Sequence, residues 1–154
     1  MKFHFKFQKL LDIEKFKEEE IAKELKTAQK KLNEEKKIES LLKSLLETRQ
    51  IEMTKMLQAN AAASTFVLFE SYFTKLNRDI IVQRSRIKKF SEEVEQVRQK
   101  LLAAFKKRKL LEKLRERHKK DFDEQEKRLE MKKLDEMATS RFYYKHIREK
   151  DVLE

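Results

Sequence analysis

Glycine and proline are both missing from this 154-residue chain. Average usage would supply roughly ten glycines and about eight prolines in that length. Glycine serves backbone positions with positive φ, and proline serves rigid turns and helix stops. A chain without either residue forms few tight turns, so hairpin strands and glycine-rich phosphate-binding loops are effectively excluded.

Cysteine is missing as well, so the chain has no disulfide framework, and no thiol nucleophile exists. No apolar run approaches the roughly 20 residues that a membrane span needs. The start, Met1–Gln8, lacks the apolar segment of a secretory signal. We therefore expect a cytoplasmic protein, or one at a cytoplasmic membrane surface.

The three histidines, His4, His118 and His146, lie far apart and lack the spacing of a helical metal pair. Carboxylates are abundant, but on exposed helices they lack the buried cleft that shifts a pKa toward catalysis. We predict a protein without catalytic activity, bound metal or cofactor.

Charged residues make up 44% of the chain, and hydrophobic residues make up 39%. This composition is typical of long helices in a coiled coil, and the length predicts one domain. The formal net charge of +11 favours solubility and acidic partners.

Two stretches carry apolar residues at alternating steps of three and four, the heptad period of left-handed coiled coils. The first arm covers residues 1 to about 58, the second about 66 to 144, and residues 145–154 remain as a short tail. The stripe of the first arm includes Leu11, Ile21, Leu25, Leu32, Leu42 and Leu46. The stripe of the second includes Phe69, Phe73, Leu76, Ile80, Val94, Val97 and Leu111.

The segment Gln58–Thr65 contains no charged residue, and we place a turn there, over about residues 59–65. Asn60 is the best residue available for a left-handed conformation, and Ser64 or Thr65 can cap the following helix. The alternative is that the alanines of this segment continue a single long helix, because alanine is the best helix former.

A chain that folds back at this turn brings together residues whose numbers sum to about 122. Apolar stripe positions then face one another, and two acid–base pairs coincide, Glu14 with Arg108 and Glu39 with Arg84. Charges at a seam are costly unless paired, and a parallel dimer would place Glu14 against Glu14. The sequence therefore predicts a monomeric, all-α, antiparallel two-helix coiled coil, a helical hairpin.

Three features stand out as candidate binding surfaces besides this pairing. The run Lys106–Lys120 is strongly basic; it is either a solvated helix face or a contact for an acidic protein surface or a nucleic acid backbone. Beyond about residue 120 the first arm has ended, so Leu129, Leu134 and Met137 have no arm to cover them.

The third feature is surplus apolar surface toward the turn, wider than one seam can bury. It includes Leu42, Leu45, Tyr72 and Leu76. Exposed apolar patches mark interfaces, whereas wide core packing near the turn is the alternative. Leu42 and Leu76 also fall on the stripes, while Leu45 and Tyr72 do not.

The sequence resembles the FliJ family of bacterial flagellar export proteins over essentially its whole length. The resemblance rests on the opening Phe3-x-Phe5-x-Phe7-Gln8-Lys9-Leu10-Leu11-Asp12. It rests also on Leu111-x-x-Leu114-x-x-Arg117 and on Glu130-x-Lys132-Lys133-Leu134-Asp135-Glu136-x-Ala138, which is its most specific part. The resemblance implies a long antiparallel two-helix coiled coil, similar to the central stalk subunit of rotary ATPases.

The resemblance also implies partners and a place in the cell. Family members form the stalk of the flagellar type III export ATPase ring, contact the membrane export gate and act as general export chaperones. We therefore expect the ATPase ring, the gate protein and other export chaperones as partners, at the inner membrane of the flagellar base, in the service of motility. No nucleic acid partner is expected.

The basic run and the apolar surfaces described above supply two groups of candidate residues, and the resemblance supplies a partner for each group. The expected ATPase-binding residues are Arg115, Arg117, Lys120, Leu129, Leu134 and Met137. The expected gate-binding residues are Leu42, Leu45, Tyr72 and Leu76. The alternatives are a structural coiled-coil spacer unrelated to export and a basic helical protein that binds nucleic acid.

Overall fold

A computed structural model shows a helical hairpin and describes residues 2–151, with the side chains of residues 2–148. Helix α1 covers Gln8–Gln58, helix α2 covers Ala63–Asp151, and the described residues contain no strand. The predicted fold class is confirmed. Helix α2 continues past residue 144 to Asp151, because no glycine or proline interrupts it.

The turn closes with backbone hydrogen bonds around Asn60, the described residue with positive φ, at 52°. The Ala61 amide donates to the Met56 carbonyl at 3.2 Å, and the Asn60 amide donates to the Leu57 carbonyl at 3.4 Å. This pair of bonds is the Schellman arrangement, which satisfies the last carbonyls of a helix when the next residue is left-handed. Both the position of the turn and the conformation of Asn60 are as predicted.

The predicted cap of the second helix is wrong. Helix α2 begins at Ala63, so Ser64 and Thr65 lie inside its first turn, and the Thr65 amide donates to the Ala62 carbonyl at 3.0 Å. The turn is shorter than expected, so the helix starts before either hydroxyl residue. Ala62 holds the cap position without a side-chain acceptor.

The chain divides into two compact units. The first, which we call the terminal unit, consists of Met1–Lys15 and Lys106–Glu154; the second, the turn unit, consists of Phe16–Phe105. The core of the turn unit is made of stripe residues from both helices, together with Ala104, which is buried where the predicted stripe placed its neighbour Phe105. Its buried apolar residues are Leu32, Leu76, Ile80, Val94, Val97 and Ala104.

One buried polar side chain interrupts the core of the turn unit. Gln83 is only 5% exposed, and its amide nitrogen donates to the backbone carbonyl of Glu35 at 2.9 Å and to the Glu35 carboxylate. A single satisfied polar residue on a coiled-coil seam disfavours other alignments of the helices at some cost in stability.

The predicted pair of Glu39 with Arg84 is confirmed. Arg84 Nε lies 3.0 Å from Glu39 Oε1, and Lys43 Nζ lies 2.9 Å from the same oxygen. The hydrogen bonds from Lys43 and Arg84 hold the pKa of the Glu39 carboxyl below its usual range. Because this contact joins residues 45 apart in the sequence, it shows the antiparallel register of the turn unit.

In the terminal unit, Glu14 is buried, and Arg108 Nη1 lies 2.8 Å from Glu112 Oε1. The hydrogen bond from Arg108 lowers the pKa of the Glu112 carboxyl. The pairing of Glu14 with Arg108 that the register suggested stays a prediction.

Aromatic residues that precede α1 pack in the terminal unit. Phe5 is 3% exposed, and its ring centroid lies 5.7 Å from that of His118 and 5.9 Å from that of Phe7. The Phe3 and Phe122 rings lie 5.7 Å apart. The segment before the first helix therefore extends the packing along α2 as far as Phe122.

Candidate functional site

The functional candidates in this chain are exposed surfaces. Among the described residues, no group of three or more histidine, aspartate or glutamate side chains is arranged to hold a metal ion. Over the same residues, neither helix contains a stretch apolar enough to cross a lipid bilayer.

The first candidate is an apolar surface in the turn unit. A shallow pocket of about 280 Å³ is lined by Arg49, Leu68, Phe69 and Tyr72. The Arg49 guanidinium carbon lies 5.9 Å from the centre of the Tyr72 ring, a cation–π contact. Arg49 Nη1 also lies 2.6 Å from Glu52, and these two partners raise the pKa of Arg49. The arginine is therefore held in place at the edge of the pocket.

The structure separates the four residues predicted to bind the gate. Leu42, Leu45 and Tyr72 are half-buried, so part of each side chain is accessible. Leu76 is 4% exposed and lies in the core, so the expectation that it offers an exposed side is corrected. Leu76 occupies a stripe position, and stripe positions point toward the partner helix.

The accessible surface extends along one flank of the seam. Leu45 directly precedes the stripe residue Leu46, and Tyr72 directly precedes Phe73; like flanks of two antiparallel helices lie on the same side. Leu41 and Leu68 lie one helical turn from Leu45 and Tyr72, and they are 69% and 71% exposed. We call Leu41, Leu45, Leu68 and Tyr72 the turn-unit patch.

Sequence reasoning missed the part that Arg49 plays in this surface. Arg49 occupies a position of the apolar stripe of the first arm, and the sequence pattern alone indicates only a polar residue that interrupts the stripe. The signal was present, because 49 and 72 sum to 121, close to the register value that pairs the two arms. Applying the register to arginine and tyrosine, as well as to acid–base pairs, would have found the contact.

The second candidate is the carboxyl-terminal part of α2. From residue 123 to residue 148 every described side chain is exposed except Glu126, which is half-buried. Leu129, Leu134 and Met137 are 50%, 64% and 60% exposed. We call residues 123–125 and 127–148 the unpaired helix, and its apolar side chains are available to a partner.

Apolar residues occupy two faces of the unpaired helix. At about 100° per residue, Leu129, Met137 and Tyr144 lie on one face. Met131, Leu134 and Phe142 lie on another, and all six are at least half exposed. One flat partner surface cannot cover both faces.

The basic residues predicted to bind the ATPase also divide between faces. Arg117 and Lys120 are three residues apart and therefore neighbours on the outer surface of α2. Arg115 lies about 200° from Arg117 around the helix, on the opposite side. All three are exposed. A single contact could use Arg117 and Lys120 together, but not Arg115.

A comparison with protein families matches residues 2–146 to the family described as flagellar FliJ protein. The match covers nearly the whole chain, including both arms, the turn and most of the unpaired helix. Comparisons with curated proteins and with solved structures return no match.

Proposed function

Because the chain belongs to the FliJ family of flagellar proteins, we propose that it is the central stalk of the flagellar type III export ATPase ring. The family places the chain in flagellum biogenesis and protein export, and it is a family of non-enzymatic proteins. Within that setting, the proposal assigns the unpaired helix to the ATPase and the turn-unit patch to the export gate.

The observation that carries the ATPase assignment is the exposure of apolar side chains on two faces of the unpaired helix. A helix of this kind needs a partner that surrounds it, because burying one face leaves the other in water. The interior of a ring supplies walls on all sides. Arg117 and Lys120 precede the unpaired helix and add positive charge for an acidic rim.

The gate assignment rests on the turn-unit patch. It combines three leucines, of which Leu41 and Leu68 are exposed, with Tyr72, and Arg49 contacts the Tyr72 ring beside the patch. Tyrosine and arginine are enriched among interface hot spots. Contact with the membrane gate would hold the protein at the inner membrane of the flagellar base. The same exposed apolar surfaces would serve it as a general chaperone for export substrates and other export chaperones.

The ATPase assignment is tested by titrating the full chain against the export ATPase ring of the same organism. The variant Leu129→Asn, Leu134→Asn, Met137→Asn changes only exposed side chains, so its melting should match the parent chain. We expect its affinity for the ring to fall at least about tenfold. The matched control carries asparagine at Ile51, Ile81 and Val82, exposed residues of the turn unit, and should bind normally.

A charge test separates the basic contact from the apolar one. Arg117→Glu with Lys120→Glu should weaken ring binding, more strongly at low salt, because salt screens exposed charges. Arg115→Glu should have a smaller effect, since Arg115 lies on the opposite side of the helix. If neither the apolar triple variant nor the charge-reversal variant binds less tightly, the chain is not the stalk, and a spacer role becomes the better account.

A further inference from the structure

An exposed leucine in the terminal unit is surrounded by lysines. Leu110 is 68% exposed, and its neighbours three and four residues away on α2 are Lys106, Lys107, Lys113 and the half-buried Leu114. The three lysines are exposed as well. Leu110 has one apolar neighbour, Leu114, and three cationic ones, so most of its side chain remains accessible to a partner.

Helix α1 adds two more exposed apolar side chains to the terminal unit. Leu10 is 45% exposed and Ile13 is 51% exposed, three residues apart on one face. Lys9, also exposed, lies four residues before Ile13 on the same face. This part of α1 therefore has the same combination of apolar and cationic side chains as the surroundings of Leu110.

The two sets lie along the same flank of the seam. Leu10 directly precedes the buried stripe residue Leu11, and Leu110 directly precedes the stripe residue Leu111. Like flanks of two antiparallel helices lie on the same side. Ile13, three residues after Leu10, continues this flank on α1.

We propose that Leu10, Ile13 and Leu110 form a docking groove for an acidic amphipathic helix of a partner protein. The groove between two helices accepts a third helix that inserts its own apolar stripe. Glutamates or aspartates beside that stripe would meet Lys9, Lys106, Lys107 and Lys113, so the charges of the two surfaces are complementary. The groove uses none of the residues assigned to the ATPase or the gate.

The chemistry of the groove favours a protein helix over other anionic partners. A nucleic acid backbone is bound by the cations alone and gains nothing from exposed leucine and isoleucine. A bilayer surface is flat, so it cannot enter the groove between two helices as a third helix does. Aliphatic side chains arranged along a groove with lysines at its borders fit a helix.

The test uses the full chain and fluorescently labelled synthetic helices of about 21 residues, long enough to form helix in water. The probe has one leucine stripe flanked by glutamates. A second peptide has the same composition in scrambled order, without the stripe. We expect the probe to bind in an anisotropy titration, the scrambled peptide to bind at least about tenfold more weakly, and the affinity of the probe to fall as salt is raised.

The variant Ile13→Asn with Leu110→Asn should lose at least about tenfold in affinity for the probe, while Ile51→Asn with Ile81→Asn in the turn unit should lose nothing. Melting should be the same in both, since all four side chains are exposed. The proposal is overturned if the scrambled peptide binds equally well, if the groove variant binds normally, or if the probe does not bind. Binding to phosphatidylglycerol vesicles that is lost in the groove variant would make the groove a lipid site instead.

Failure of this test and failure of the stalk proposal are distinguishable. The peptide titration contains no ATPase ring, and the ring titration alters none of Leu10, Ile13 and Leu110. Either surface can be disproved while the other stands.

Discussion

At the scale of single residues, Asn60 carries a task that glycine performs at many helix ends. Its φ of 52° lets the Ala61 amide donate to the Met56 carbonyl and end helix α1. Only four residues then separate α1 from α2. Asparagine tolerates this region because its short polar side chain can bond locally. A chain without glycine therefore depends on this one side chain for its tight turn.

Replacing Asn60 by valine should lower the free energy of unfolding by about 1–2 kcal/mol, because a β-branched residue is strained in the left-handed region. Asn60→Gly should stay within about 1 kcal/mol of the parent chain, since glycine adopts positive φ without strain. Urea titrations followed by helical circular dichroism measure both changes. Ala59→Val, at a turn residue whose φ is not positive, is the control and should cost less than Asn60→Val. Equal stability of parent and Asn60→Val would show that the positive φ is not required.

At the scale of elements, α2 receives packing partners from more than α1. Phe3 and Phe5 precede the first helix, yet they contact Phe122 and His118 through their rings. These contacts end where the unpaired helix begins. The short aromatic segment therefore decides how far along α2 the side chains are covered and where they become available to a partner.

Phe5→Ala should destabilise the terminal unit by about 3–5 kcal/mol, the usual cost of removing a buried phenylalanine side chain. The loss should be local, so amide hydrogen exchange should speed up from about residue 111 to residue 122 while the core of the turn unit keeps its protection. Phe16→Ala, at a residue that is 62% exposed, should leave exchange nearly unchanged. Unchanged exchange near His118 in the Phe5 variant would mean that the segment does not hold α2.

At the scale of the whole molecule, the hairpin could be predicted because heptad spacing, a charge-free joint and complementary charges all point to the same pairing. Arg84 with Glu39 confirms that logic, and Gln83 with Glu35 extends it to a pair that was not foreseen. The first residue of α2 could not be predicted from the sequence. Ala62, Ser64 and Thr65 are all possible N-cap residues, and the backbone hydrogen bonds of the turn determine which of them holds that position. The packing of Phe3 and Phe5 lies outside any helical period.

The locations of the candidate surfaces could be predicted from the sequence, but the residues that are accessible on each surface could not. The positions of apolar surplus follow from the stripes, so the turn-unit patch and the unpaired helix could be anticipated. Which side chains stay accessible depends on their angle to the partner helix, and this is why Leu76 is buried while Leu68 is exposed. The same angle divides Arg115 from Arg117 and Lys120.

The proposed gate contact predicts that Leu45→Ala with Tyr72→Ala weakens binding to the purified export gate protein by more than about 2 kcal/mol, because an aromatic anchor carries a large share of interface energy. Both side chains are half-buried, so helix content should be unchanged and the loss of stability should be about 1 kcal/mol.

Leu76→Ala is the matched control, because it removes a buried side chain. It should cost about 2–5 kcal/mol of stability and should leave gate affinity intact under conditions where the variant is folded. Circular dichroism melting and gate titrations on the same samples separate the two effects. If the double variant melts like Leu76→Ala, its residues belong to the core and the patch does not exist. If it is stable and binds the gate as the parent chain does, the gate contact lies elsewhere.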